Sequence, residues 1–147
     1  MRGYFGVGVF QPKFCENVGT LYRSAHIFGA SFIYTIGRRY REQASDTTKA
    51  HKSIPFYHYV SMEDFLANIP RECRVVCVEN SKNAWPIKNF VHPERAAYLI
   101  GSEDNGIPPK ILEKYMNVIL PGKMCMNLAV AGSLVMFDRF QKTNKDI

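Results

Sequence analysis

Apolar residues in this chain gather in short β-branched and aromatic runs, separated by stretches in which they recur every three or four positions. Tyr4 to Phe10 (YFGVGVF) is such a run and predicts a buried first strand, ended by Gln11-Pro12. Val18, Leu21, Tyr22, Ala25 and Phe28 then fall on one helical face that stops at Gly29, with Asn17 the expected N-cap. Ser31 to Ile36 predicts a second strand broken by Gly37, and Arg38 to Ser53 has no apolar period and reads as a long exposed loop. Ser61-Met62-Glu63-Asp64 resembles a capping box ahead of Phe65, Leu66 and Ile69. Arg74 to Val78 predicts the third strand, a polar turn follows over 79–83, and Pro86 and Pro93 keep 85–93 irregular. Ala97 to Gly101 is the expected fourth strand, 109–115 a helix opened by Pro108, and Asn117 to Leu120 the fifth strand. From Asn127 to about Gln141 runs a closing helix, apolar nearly all round as far as Phe137, and so expected to be buried or to sit at a subunit contact.

Strands alternating with helices imply an α/β fold: a single domain over 1–147, its mostly parallel sheet covered by helices on both faces. Gly3, Gly6 and Gly8 lie within the first strand rather than after it, so they suit close packing and not a dinucleotide fingerprint.

Composition adds a few limits. The chain is 46% hydrophobic and 22% charged, as in an ordinary globular domain. No apolar run reaches a membrane span and the first residues lack a signal-peptide core, so a cytoplasmic protein with no membrane partner is expected. A net charge of +6 favours anionic partners such as nucleic acid. Arg38, Arg39, Arg41, Lys49 and Lys52 concentrate that charge in one segment. Cys15, Cys73, Cys77 and Cys125 form no Cys-x-x-Cys pair and the four histidines show no ligand spacing, so no metal is expected and the cysteines read as small apolar fillers.

Three stretches carry possible chemistry. In Asn17-Val18-Gly19-Thr20-Leu21-Tyr22-Arg23, Arg23 projects from the polar side of its helix, either as a solvated charge or as a fork for phosphate oxygens. In Gly101-Ser102-Glu103-Asp104-Asn105-Gly106, Gly101 would let a ligand lie against a strand end. Glu103 would accept a hydrogen bond, fix a basic neighbour, or simply belong to a polar turn. In Leu120-Pro121-Gly122-Lys123-Met124-Cys125-Met126-Asn127-Leu128, Asn127 caps a helix or orients a substrate, and Met124, Met126 and Leu128 form either a slot for a flat ring or part of the core.

Together, Asn17-x-Gly19-x-x-x-Arg23, Leu99-Ile100-Gly101-Ser102-Glu103-x-x-Gly106-Ile107 and Leu120-Pro121-Gly122-Lys123-Met124-x-x-Asn127-Leu128-Ala129-Val130-Ala131 resemble, in order and separation, the three motifs of the SpoU (TrmH) branch of the SPOUT RNA methyltransferases. The resemblance implies an α/β domain with a C-terminal deep trefoil knot, working as a homodimer. It implies transfer of a methyl group from S-adenosylmethionine to a ribose 2'-hydroxyl of tRNA or rRNA. The donor would lie near Val78 and Glu79, at Gly101, at Leu120, and along Met124, Cys125 and Leu128. Arg23 would be nearest the chemistry, with Asn17, Glu103 and Asn127 around it. An Arg is too basic to serve readily as a proton acceptor, so its expected task is to position a phosphate.

The family usually has Ser where this chain has Cys125, and a thiol is the weaker hydrogen-bonding group. RNA would be held by Arg23 and the basic segment of Arg38, Arg39, Arg41, Lys49 and Lys52, which also offers the aromatic face of Tyr40. tRNA is favoured over rRNA because a compact catalytic domain suits a small substrate. The rival expectation is a non-catalytic RNA-binding dimer that keeps the fold.

Overall fold

The computed structural model of the chain describes residues 3–39 and 53–143. Seven strands form one sheet in the order β3-β2-β1-β6-β4-β7-β5, with every neighbouring pair parallel. They are β1 (Tyr4–Phe10), β2 (Phe32–Ile36), β3 (Phe56–Tyr59), β4 (Arg74–Val78), β5 (Trp85–Pro86), β6 (Arg95–Gly101) and β7 (Met116–Ile119). The helices are α1 (Cys15–Phe28), α2 (Met62–Asn68), α3 (Pro109–Leu112) and α4 (Leu128–Thr143). None of them is long and apolar enough to cross a membrane among the described residues.

Alternation along β1 divides the core. Phe5, Val7 and Val9 face α1 and α4, packing with Leu21, Tyr22, Val135 and Met136. On the other face Phe32, Tyr34, Cys77 and Leu99 pack with Met62 and Phe65 of α2, and with Ile111 and Leu112 of α3. Helices therefore cover both faces. Gly6 and Gly8 make room on the second face: a Cβ would come within 2.2 Å of the Phe32 ring at Gly6 and 2.3 Å of the Tyr34 ring at Gly8. The Tyr34 hydroxyl donates to the Tyr98 carbonyl at 2.6 Å. Close packing is thus the use of these glycines, and what packs on them is two aromatic rings.

Several expectations need correction. Two strands join the five anticipated. β3 forms one edge of the sheet and the two-residue β5 the other, where Pro86 can sit because an edge strand does not need every N–H. The helix expected over 109–115 stops at Leu112. α1 begins at Cys15 with Phe14 at its N-cap, so Asn17 lies inside the first turn and is not the cap. Ser61 does cap α2, its hydroxyl accepting from the Asp64 N–H at 3.1 Å, while the Asp64 carboxylate accepts from the Val60 N–H at 2.9 Å.

α4 is not buried all round. Val130, Leu134 and Phe137 are exposed along one stripe of it, and Ile27 of α1 is exposed as well. The two helices touch through Ser133 and Ser24, whose hydroxyls lie 2.8 Å apart, and through Phe28 packed on Phe137 and Phe140. Of the cysteines, only Cys73 and Cys77 are buried fillers; burial pushes their thiols up to about 11 and about 12. Cys15 is half-buried and Cys125 exposed.

The C-terminal half of α4 is held by a buried polar network. Arg139 donates to the carbonyls of Pro93 and Glu94 at 2.7 and 2.8 Å and to the Tyr98 hydroxyl at 3.1 Å. His92 lies between the Tyr98 hydroxyl and the Asp138 carboxylate, 2.7 Å from each, and Lys142 closes on the same carboxylate at 2.8 Å.

Candidate functional site

Parallel strands expose their last carbonyls and their following loops at one edge, where open α/β sheets take ligands. Here β4, β6 and β7 end side by side and a cavity of about 610 Å³ opens over them. Its volume is in the range of small-molecule and cofactor sites. Val78 and Glu79 at the end of β4, Gly101 at the end of β6, and Leu120 after β7 all line it. Met124, Cys125 and Leu128, from the loop into α4, close it from the other side. The seven positions expected around a methyl donor thus line one cavity.

The floor of this cavity is held by close contacts. Ser102 and Gly106 form an antiparallel bridge that folds the loop back onto β6. A Cβ on Gly101 would meet Gly106 backbone atoms at 2.6 Å, and one on Gly106 (φ +60) would meet the Glu79 carboxylate at 2.5 Å. That carboxylate accepts from the Asn80 N–H at 3.1 Å and the Ile107 N–H at 3.3 Å. Glu79 therefore braces the loop as well as lining the cavity. The lip is built differently: Met124 is 87% exposed, and Lys123 and Cys125 are exposed beside it.

Asn17, Glu103 and Asn127 are joined in one hydrogen-bonded chain. The Asn127 side-chain oxygen accepts from the Ala129 and Val130 N–H groups at 2.8 and 3.3 Å, capping α4. Its amide nitrogen donates to the Asn17 side-chain oxygen at 2.9 Å. The Asn17 nitrogen in turn donates to one Glu103 oxygen at 2.7 Å. A backbone N–H can only donate and a carboxylate only accepts, so the two ends set the direction of both amides. Capping and orienting were alternatives for Asn127; one side chain does both, with its oxygen on the helix and its nitrogen on Asn17.

Glu103 lines the cavity, and this chain ties it to α1 and α4. Its second oxygen has no hydrogen-bond partner among the described residues and is open to a ligand. Arg23 is exposed on α1 and does not line the cavity. Among the described residues it has no ion pair. Arg38 and Arg39 are exposed beyond β2, whereas Arg41, Lys49 and Lys52 lie outside the described residues.

The sequence reading missed one rim contact, the ion pair of Lys13 with Asp104, which bridges the loop after β1 and the loop after β6. Nothing in either local sequence signals it, because the partners are 91 positions apart.

The residues present suit S-adenosylmethionine. Ile100, Val118, Leu120 and Leu128 give an apolar slot for a flat ring, and the carboxylates of Glu79 and Glu103 stand beside it for hydroxyl and ammonium groups.

Comparison with known proteins bears on the family and the fold. The model of the SpoU rRNA methylase family matches residues 5–137. No curated protein sequence matches the chain. Among solved structures, one that concerns 2-OH methylation of C/U34 on tRNA superposes with a TM-score of 0.83 at 20% identity, covering 97% of each chain. An AdoMet-bound rRNA methyltransferase from Sinorhizobium meliloti gives 0.83 at 21% identity over 97% of this chain and 58% of its own. The A. aeolicus TrmH/SpoU tRNA modifying enzyme gives 0.81 at 17% identity over 97% and 76%. At such identities these structures speak for the shared fold, and the family match covers most of the chain: the protein belongs to the SpoU rRNA methylase family.

Proposed function

We propose that this RNA methylase transfers a methyl group from S-adenosylmethionine to a ribose 2'-hydroxyl, with tRNA the preferred substrate class and a homodimer the working form. The observation that carries the reading is the Asn127–Asn17–Glu103 chain closing on a cavity lined by all seven expected donor-site positions. Bound S-adenosylmethionine would supply an electrophilic methyl on its sulfonium; Val78, Leu120 and Leu128 would sandwich its ring, and Met124 and Cys125 would fold over it. Glu103, anchored by Asn17, offers its free oxygen to the ligands meeting at the rim. Arg23 would grip the phosphate beside the target ribose and align the hydroxyl with the methyl, an orienting task worth several powers of ten in rate. In such a transfer the 2'-oxygen would bond to the methyl carbon as the carbon–sulfur bond breaks, the sulfur keeping that electron pair and the hydroxyl proton passing to solvent water at the open rim.

The homodimer is supported by the exposed stripe of Val130, Leu134 and Phe137. Arg23 precedes the exposed Ile27 by one turn of α1, so pairing through this face would bring Arg23 to the seam between two copies. We propose the deep trefoil knot on the same family grounds, with the loops at the ends of β6 and β7 as its elements. tRNA as substrate is supported by the neighbour concerned with 2-OH methylation of C/U34 on tRNA, of which this chain covers 97%.

The test is transfer of labelled methyl to size-fractionated RNA from cells lacking the gene, with Arg23→Ala as control. Label in the tRNA fraction that resists alkaline cleavage, and that vanishes with Arg23→Ala, supports the donor, the ribose hydroxyl, the tRNA class and the part given to Arg23. Alkali-sensitive label places the methyl on a base and removes the ribose assignment. Donor binding without transfer to any RNA points to a missing partner or substrate, whereas neither binding nor transfer favours the non-catalytic RNA-binding dimer. Near-normal turnover by Arg23→Lys rejects the forked clamp.

A further inference from the structure

At the amino ends of the strands, opposite the donor cavity, two concavities meet at a shared ridge of Ile69 and Pro70 on the α2 side of the sheet. One, of about 470 Å³, has Arg71, Arg74 and Lys114 in its wall and no carboxylate. All three cations are exposed, and none has an ion pair among the described residues. The other, of about 530 Å³, is aromatic. Tyr57 stacks on Tyr59 with ring centres 6.2 Å apart, meets Phe32 edge-on at 6.4 Å, and is still 48% exposed. Its one carboxylate, Asp64, is already engaged, one oxygen accepting from the Val60 N–H at 2.9 Å and the other from Asn68 at 3.0 Å. Unpaired cations continuous with an exposed aromatic ring are what single-stranded nucleic acid requires, phosphates along one lobe and a base stacked in the other.

We infer that this groove is a second RNA-binding site, holding a single-stranded segment of the substrate away from the reacting nucleotide. The inference rests on the RNA methyltransferase reading and deepens it. β6 alone separates the two ends by about 23 Å, at ~3.3 Å per residue. An RNA that reaches both must be longer than a few nucleotides, which fits a tRNA better than an isolated short loop.

The probe is a short fluorescein-labelled oligouridylate, titrated with the full chain by fluorescence polarisation across a salt series. The triple variant Arg71→Ala/Arg74→Ala/Lys114→Ala should lower the slope of log affinity against log salt by about 2, at about 0.7 per phosphate contact on a single strand. Tyr57→Ala should weaken binding about tenfold without changing the slope, and Tyr57→Phe should bind as the parent does. Unchanged S-adenosylmethionine binding and melting temperature would show that these variants are folded. Wild-type binding that none of the variants alters overturns the groove and leaves the methyltransferase reading intact. Polyglutamate binding as tightly, indifferent to Tyr57→Ala, assigns the groove to an acidic protein and also overturns it. A wild-type chain that methylates tRNA but does not bind oligouridylate overturns the groove alone; one that does neither sinks both readings.

Discussion

Replacing Asn127 by Asp separates two jobs that one amide performs. In the parent, its oxygen caps α4 through the Ala129 and Val130 N–H groups, and its nitrogen holds Asn17 at 2.9 Å. Asn127→Ala loses both: about 1 kcal/mol for the cap and about 1 kcal/mol for the second bond. At this chain length ~2 kcal/mol corresponds to a fall in melting temperature of roughly 4 to 8 °C. Asn127→Asp keeps the cap, and a negative charge at a helix N-terminus contributes a further ~0.3 to 1 kcal/mol. The new carboxylate has no N–H to give, so Asn17 must turn its amide over to donate to it. Asn17 then points oxygen, not nitrogen, at the Glu103 oxygen it now holds at 2.7 Å. One of the two side-chain bonds is lost whichever way Asn17 faces. Asn127→Asp should therefore melt within about 2 °C of the parent, the cap gain offsetting the lost bond, while methyl transfer drops about tenfold, the equivalent of ~1.4 kcal/mol in the transition state. Calorimetric melting and single-turnover transfer of labelled methyl are the two measurements. Normal transfer by Asn127→Asp would refute the directed chain. A melting loss equal to that of Asn127→Ala would refute the cap.

Other consequences are simpler to state. Gly101→Ala drives a Cβ into Gly106 backbone atoms at 2.6 Å and should abolish S-adenosylmethionine binding in calorimetry while the chain still melts cooperatively; undiminished binding would show the cavity floor to be adaptable. Gly8→Ala forces the Tyr34 ring aside from 2.3 Å and should cost about 1 to 3 kcal/mol in denaturant unfolding, with Gly6→Ala behaving alike through Phe32. Burial holds the His92 imidazole below its ordinary value of 6.5, against the opposing pull of Asp138. The unfolded chain then binds the extra proton, so this contribution is complete above pH 6.5 and is lost as pH falls through the lowered value; His92→Gln should flatten that part of the melting-versus-pH curve. Cys125→Ser restores a hydroxyl at an exposed position and should raise methyl transfer several-fold at an unchanged melting temperature, and equal rates would mean that the residue makes no contact in the reaction.

The strands that could be read from the chain are those buried on both faces. β1, β4 and β6 are continuous apolar runs because helices cover them above and below. Phe56-Tyr57-His58-Tyr59 hid β3, since an edge strand with half-exposed rings and a histidine has neither a continuous run nor a clean alternation. β5 is two residues long and contains a proline, below any pattern. The helical period marked α4 as apolar all round but could not say whether its outer stripe meets this chain or another. Propensity put Asn17 at a cap because amides favour caps; the tertiary contact with Glu103, 86 positions away, won instead. The residues expected around a donor come together for a physical reason, because parallel strands all end at the same edge and their following loops must meet there.

That common edge also explains why one part of the cavity is fixed and another is free. Gly101, Gly106 and Glu79 interlock with no space for a methyl group, so the floor is shaped before any ligand arrives. Such a floor adds no ordering cost on binding. Met124 and Cys125 have no comparable support and stand in solvent. Folding Met124 over a ligand would remove apolar surface from water, worth ~1.5 to 3 kcal/mol for a fully buried methionine. A thiol at the neighbouring position is cheaper to desolvate than a hydroxyl, which would forfeit hydrogen bonds to water. Cys125 in place of Ser thus moves the lip's contribution from hydrogen bonding towards apolar burial. Burial holds a ligand without directing it, so under the proposed function orientation at the reacting end would fall to the braced pair of Asn17 and Glu103.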